Sequence, residues 1–493
     1  MTNPIQELLK QTGPGLMTPS AYDTAWIARL GEIAPDLSNP AMEWLSEHQL
    51  PDGCWGAAQP NYYHDRVIST LAAMLALTRR GRRTQDKRQI EKGLEALEQI
   101  NSNATKGLMA DPNGATIGFE LIIPTLVAEA ENIGIIKQHK ERILGRLQGL
   151  RKIKMEKMKG LKINRNVTMA FSAEMAGLDN QDLLDVDNLQ EDNGSVGHSP
   201  SASAYFAAYI RPGDARSLQY LRQVSAADGS VPDLLPFEIY EKSWILWNLA
   251  LVDSLDQDTM AFFQPHLDYL QASWNYHKGV GLSRGYSVPD GDNTCVTFDL
   301  LTHFNRPIDI HGLLSFDGDE HFRCYELEAN SSISVNIHAL SALRNAGFEP
   351  DHPTVKKILH YLKQNRTSGG YWFDKWHISP YYTTAHAILA CVNYCDDLIA
   401  PAADWIIKTQ KFDGSWGFYL PTAEETAYCI QALSIQKKKG GNVPPEVLIK
   451  AVEWLELHAE PPYPLFWIGK SLYAGELVVR SAILSAVALA KGL

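Results

Sequence analysis

Apolar positions recur at helical spacing along the chain and are broken by short turn-forming clusters, which predicts a protein of helices and turns. Thr18-Pro19-Ser20 leads into the amphipathic run Ala21–Leu30. Ser20, with Asp23 three residues later, makes a capping box, so a helix starts there. A second start lies at Ser287-Val-Pro-Asp290-Gly291-Asp292-Asn293-Thr294. Proline and glycine keep this stretch out of a helix. The apolar residues Val296, Phe298, Leu300 and Leu301 that follow predict a helix running into a core. Two carboxylates one residue apart therefore flank a helix N-terminus. A helix cap, whose side-chain oxygen accepts a backbone N–H, accounts for one acid but not for both. The alternative is a carboxylic acid held neutral by burial so that it can donate a proton.

The pattern also repeats. Pro40, Trp44, Gln49, Asp52, Gly53, Trp55 and Gly56 recur 361 positions later as Pro401, Trp405, Gln410, Asp413, Gly414, Trp416 and Gly417. In each copy the proline is expected to open a helix at its first position. The first tryptophan packs its inner face, and the glutamine satisfies backbone groups left over at its end. Asp-Gly then turns the chain, and the second tryptophan stacks against the join. Weaker copies begin at Gln190, Gln223, Gln271 and Gln364, the last running to Gly370-Tyr-Trp372. Helical hairpins at this spacing stack, and with copies near both ends they are expected to close into rings. The expected fold is all-α, with two α/α-barrel domains.

Asp290-Gly-Asp292-Asn293-Thr294 resembles the Asp-x-Asp-Asp-Thr motif of class II terpene cyclases, which start a polyene cyclisation by protonating an alkene or epoxide. The repeat is similar to the Gln-Trp motif of squalene-hopene and oxidosqualene cyclases. Tyr22-Asp-Thr-Ala-Trp26 and Phe466-Trp-Ile-Gly-Lys470-Ser-Leu-Tyr473 resemble strings of bacterial diterpene cyclases. The resemblance implies that Asp292 is the proton donor and Asp290 its hydrogen-bonded supporter. Asn293 stands where the family carries a third aspartate. Its amide can hold Asp292 but cannot relay a proton. The resemblance also implies a catalytic domain of residues 1–30 and 211–493, with 31–210 inserted as a second barrel. Lys470 is a candidate to neutralise a diphosphate, although an exposed lysine is the plainer reading. Trp372, Trp376 and Tyr382, with Tyr381, Phe418 and Tyr419, are candidates to line a substrate pocket because they fall at loop positions.

Asp396-Asp397-Leu-Ile-Ala lacks the third acid of a diphosphate-ionising motif, so the head group is expected to survive. The implied reaction is protonation of the terminal alkene of geranylgeranyl diphosphate and closure to a bicyclic labdane-, halimane- or clerodane-type diphosphate. Farnesyl diphosphate or a prenylated aromatic are the alternative substrates. An α/α-toroid glycosidase, with its acids flanking a sugar, and a non-catalytic helical-repeat module are the readings from other classes.

At 493 residues the chain exceeds one ordinary hydrophobic core. Its net charge of −12 disfavours nucleic acid or an anionic membrane as partner. Eleven Lys or Arg between Lys137 and Arg165, against Glu141 and Glu156, read as a solvated helical face because apolar residues interleave them. Relatives in plants carry an acid-rich stretch linked to magnesium just ahead of Gly118-Phe-Glu120. Here only Asp111 remains, so magnesium is a possible cofactor with weak support, and no organic cofactor is implied. Six cysteines at irregular spacing read as reduced thiols of a cytoplasmic protein. No leader or membrane span is evident, leaving at most peripheral membrane contact.

Overall fold

The computed structural model describes residues 3–81, 83–100, 114–136, 145, 147–252, 255–328 and 330–492. Asp111 and most of the basic run between Lys137 and Arg146 lie outside the described residues. Helices Glu238–Ala250, Gly291–His303, Ile333–Asn345, Pro380–Cys391, Ala423–Lys438 and Glu476–Lys491 pack each on the next, and the last returns to the first. An outer layer of Gln257–Ser273, Pro353–Gln364, Asp396–Thr409, Pro445–Leu457 and the N-terminal Pro4–Gln11 covers them. Burial explains the division. All 12 residues of Pro380–Cys391 are buried, as an inner helix requires. Pro353–Gln364 buries only Val355, Ile358, Tyr361 and Leu362, one helical stripe.

A second, smaller ring is built from Ala21–Ala28, Tyr63–Arg80, Phe119–Asn132, the 3₁₀ segment Thr168–Ala176 and Pro200–Tyr205, again closing on itself. Pro35–Glu47, Thr84–Ile100, Leu147–Lys157 and Ala215–Val224 lie outside it. The two-barrel expectation holds, but the packing divides the chain elsewhere than at 30/31 and 210/211. Ala21–Ala28, placed by sequence with residues 211–493, is an inner helix of the smaller ring, and Leu218, Tyr220 and Leu221 join the same core. The chain enters and leaves that ring side by side, where Ser20 N–H donates to the Val231 carbonyl at 2.9 Å.

The repeat acts as a clamp. Gln49 and Gln410 each donate to the carbonyl of their own turn glycine and to a carbonyl of the next outer helix. The indoles of Trp55, Trp372 and Trp416 donate to Leu45, Leu362 and Ile406 carbonyls at 2.7–2.8 Å. Gly229 (φ +85°) presses on the backbone of Pro40 and Ala41, where a Cβ would come within 2.3 Å. Gly370 sits in the same way on Pro401. This seat explains a departure from expectation: Pro40 and Pro401 lie inside their helices, not at the first position. The all-α expectation also has one exception among the described residues. Trp467–Ile468 and Leu472–Tyr473 pair antiparallel, Trp467 opposite Tyr473. All six cysteines are free thiols. Among the described residues no helix is long and apolar enough to cross a membrane.

Candidate active site

An open-mouthed cavity of about 130 Å³ lies at the seam of the two rings. Ile117, Thr168 and Phe171 line it from the smaller ring. Tyr240, Trp244 and Trp376 line it from the larger, with the hairpin supplying Trp467 and Tyr473. The two acids divide the readings the sequence left open. Asp290 caps helix Gly291–His303, its Oδ1 accepting the Asn293 backbone N–H at 2.8 Å. Burial, and then the neighbouring Asp292, raise the pKa of Asp290 above the ordinary carboxyl value. Asp292, one residue into the helix, lines the cavity with its side chain 10% exposed.

Asp292 is held from behind. His338, 2% exposed on helix Ile333–Asn345, places Nδ1 2.5 Å from Asp292 Oδ1. Its Nε2 lies 2.8 Å from Nδ1 of His386, on helix Pro380–Cys391. Ser334 Oγ is 3.4 Å from Asp292 Oδ2. Asn293 also lines the cavity, but among the described residues its Oδ1 is buried without a partner and it makes no hydrogen bond to Asp292. The support expected from Asp290 and Asn293 therefore comes from His338. Sequence reasoning missed both histidines, and the one signal that bears on them is spacing: they follow Asp292 by 46 and a further 48 residues, one hairpin each.

The aromatic wall is dense. Tyr240 stacks on Trp244 with ring centres 4.5 Å apart, and Trp467 meets Tyr240 edge-on at 5.5 Å. Such faces attract a cation while offering it no nucleophile. Trp376 takes the lining position expected of it. Tyr382 does not: it is fully buried behind the wall, its hydroxyl accepting from the Trp244 indole at 3.3 Å and its ring 4.3 Å from that of His386. Tyr381 is stacked on Trp405 outside the cavity. Trp372 belongs to the repeat clamp and reaches no cavity.

Lys470 is neither exposed nor a cavity residue. It is fully buried and crosses to the smaller ring, where Nζ meets Glu174 at 2.9 Å, Ser199 at 2.6 Å and the Phe171 carbonyl at 2.9 Å, with Ser201 also bonded. Burial pulls its pKa down, but Glu174, Asp23 and Asp233 outweigh that and hold it above the ordinary lysine value. The preceding Gly469 is required for this crossing, since a Cβ there would overlap Asp233. Asp233 Oδ2 accepts the Lys470 backbone N–H at 2.7 Å.

A carboxyl group backed by imidazole, at the wall of an apolar, aromatic cavity between two helical rings, defines a protonation-initiated polyene cyclase. Residues 325–440 match the squalene-hopene cyclase C-terminal domain family. The chain is 47% identical over 479 residues to a type B diterpene cyclase of Mycobacterium tuberculosis, covering 96% of each. It is 29% identical to a labda-7,13-dienyl diphosphate synthase of Streptomyces clavuligerus, over 96% of this chain and 89% of that one. An ent-copalyl diphosphate synthase structure from Streptomyces platensis superposes with a TM-score of 0.82 at 28% identity, covering 99% of this chain and all of that one. The protein belongs to the bacterial class II diterpene cyclases.

Proposed function

We propose that this enzyme protonates the terminal alkene of geranylgeranyl diphosphate and closes it to a bicyclic diphosphate of the labdane, halimane or clerodane type. The observation that carries the reading is Asp292, presented to an aromatic cavity and bonded behind to buried His338. In its acid form Asp292 gives up its O–H proton to the inner, CH carbon of the terminal alkene, which leaves the charge on the end carbon that bears two methyl groups. The tertiary cation that forms is attacked by the next alkene, twice in succession, and loss of one proton ends the cascade. The diphosphate takes no part in bond breaking and leaves with the product. The names of the Streptomyces relatives, both synthases of a bicyclic diterpene diphosphate, support the same outcome. Tyr240, Trp244, Trp376 and Trp467 face the charge as it moves.

Magnesium remains an expectation from the family, and no step here passes through it. Asp111 lies outside the described residues, and among the described residues no group of three His, Cys, Asp or Glu is placed to hold a metal ion. The test is incubation of purified enzyme with geranylgeranyl and farnesyl diphosphates, followed by phosphatase treatment and product analysis. A bicyclic C20 alcohol is expected from the wild type, and a loss of at least about 10³-fold in kcat from Asp292→Asn. Undiminished turnover by that variant would remove Asp292 as the acid.

A further inference from the structure

Behind the acid pair lies a second imidazole that the reaction outlined above does not use. His386 is 2% exposed, with its ring 4.8 Å from that of Trp247, 4.3 Å from Tyr382 and 5.6 Å from Tyr428. Its Nδ1 faces His338 Nε2, and its Nε2 is buried with no partner among the described residues. Burial, with His338 and then His377 adding to it, holds its pKa well below the ordinary imidazole value, so the ring is neutral and carries one proton.

That proton has two places to go. A neutral imidazole offers one N–H and one lone pair. A buried N–H without an acceptor is the rarer and costlier orphan, and a bare acceptor is better tolerated. The proton of His386 therefore belongs on Nδ1, where His338 Nε2 accepts it, and the unpartnered Nε2 is a lone pair. His338 Nε2 must then be bare, so His338 carries its own proton on Nδ1 and donates it to Asp292 Oδ1 across 2.5 Å. An oxygen engaged as an acceptor is not the one that holds the acid hydrogen. That leaves Asp292 Oδ2, whose neighbour at 3.4 Å, the Ser334 hydroxyl, has one hydrogen and a nearer acceptor for it in Asp374 Oδ2 at 2.9 Å. With both rings in the opposite tautomer, His386 would present an N–H to no acceptor. Asp292 would then spend its acid hydrogen on His338 instead of the substrate.

We propose that His386 is a positioning residue: by donating from Nδ1 to His338 it fixes His338 as the Nδ1–H tautomer and keeps the acid hydrogen of Asp292 on Oδ2, the oxygen that His338 does not engage. This assignment rests on the reading of Asp292 as the proton donor. It gives a physical reason for a second histidine one hairpin beyond the first.

Two substitutions and one spectrum test it. In His386→Asn the amide N–H stands close to where Nδ1–H stood, whereas His386→Leu keeps the volume and removes the donor. With geranylgeranyl diphosphate, kcat is expected to fall about 10²–10⁴-fold in His386→Leu, the scale of a misoriented imidazole in other enzymes, with KM within about threefold. His386→Asn is expected to recover to within about tenfold of the wild type. A purely structural loss would lower both variants together. The second readout needs no turnover: ¹⁵N-histidine NMR of the intact wild type, its signals assigned by their loss in the variants, is expected to show His338 and His386 both protonated on Nδ1 only. An Nε2–H signal from either ring, wild-type turnover by His386→Leu, or an equal fall in both variants at unchanged folding would overturn the proposal. If Asp292→Asn stays active while the NMR pattern is as expected, the acid assignment fails and the tautomer assignment stands apart from it.

Discussion

Replacing Lys470 by Met separates two accounts of that residue. The sequence offered it as a candidate diphosphate ligand, with an exposed lysine as the plainer reading, and the structure makes it a pin between the rings. Lys470 is 0% exposed, as is Asp23, while Glu174 is 1% exposed and already has one oxygen, Oε2, without a partner among the described residues. Removing the cation leaves Glu174 and Asp23 as buried carboxylates without compensation, and deleting one partner of a buried pair costs about 3–5 kcal/mol. Unfolding entropy of about 2.1 cal/mol/K per residue over 493 residues gives about 1 kcal/mol/K, so Tm should drop by about 3–5 °C over a single transition. Scanning calorimetry and guanidinium titration read that loss, and steady-state kinetics read KM for geranylgeranyl diphosphate. The structure predicts a lower Tm with KM within about threefold. An unchanged Tm with KM raised tenfold or more would refute the argument and return Lys470 to the diphosphate.

The other expectations follow from the same packing. Gly229→Ala puts a Cβ within 2.3 Å of the Pro40 carbonyl carbon at φ +85°, so it should destabilise by about 3 kcal/mol or more, read by denaturant midpoint. Trp372→Phe loses the bond to the Leu362 carbonyl and should cost about 1–3 kcal/mol without altering the product, whereas Trp376→Leu should shift product ratios at near-native stability; gas chromatography of the dephosphorylated products distinguishes them. An unfolded histidine takes its proton near pH 6.5 and His386 only well below that, so its contribution to stability is present above about 6.5 and lost as pH falls from there. Urea midpoints between pH 7.5 and 5.5 should therefore fall more steeply for the wild type than for His386→Asn.

The architecture was legible because the clamp is local: Gln410, Gly414 and Trp416 do their work within one turn and the helix beside it, so their order along the chain carries the fold. The acid stretch was legible for a similar reason, since a cap and its following helix are neighbours in sequence. What failed depends on distance along the chain. Asp292 meets His338 only because successive hairpins stack, and nothing in the local surroundings of His338 among 15 histidines marks it. Lys470 is read wrongly from its neighbours because its partners Asp23 and Glu174 lie hundreds of residues earlier. The same holds for Ala21–Ala28, whose amphipathic pattern announces a helix but not which ring receives it. Tyr382 and Trp372 sit where loops were expected, one beginning an inner helix and the other in a clamp.

Because the polypeptide enters and leaves the smaller ring through one doorway, between Ser20 and Val231, that ring hangs on the catalytic one like a cassette. Its gift to the reaction chamber is confined to Ile117, Thr168 and Phe171. Evolution, or an engineer, can therefore reshape that wall by exchanging a module, provided the new module keeps Glu174, Ser199 and Ser201, on which Lys470 of the hairpin that carries Trp467 is anchored.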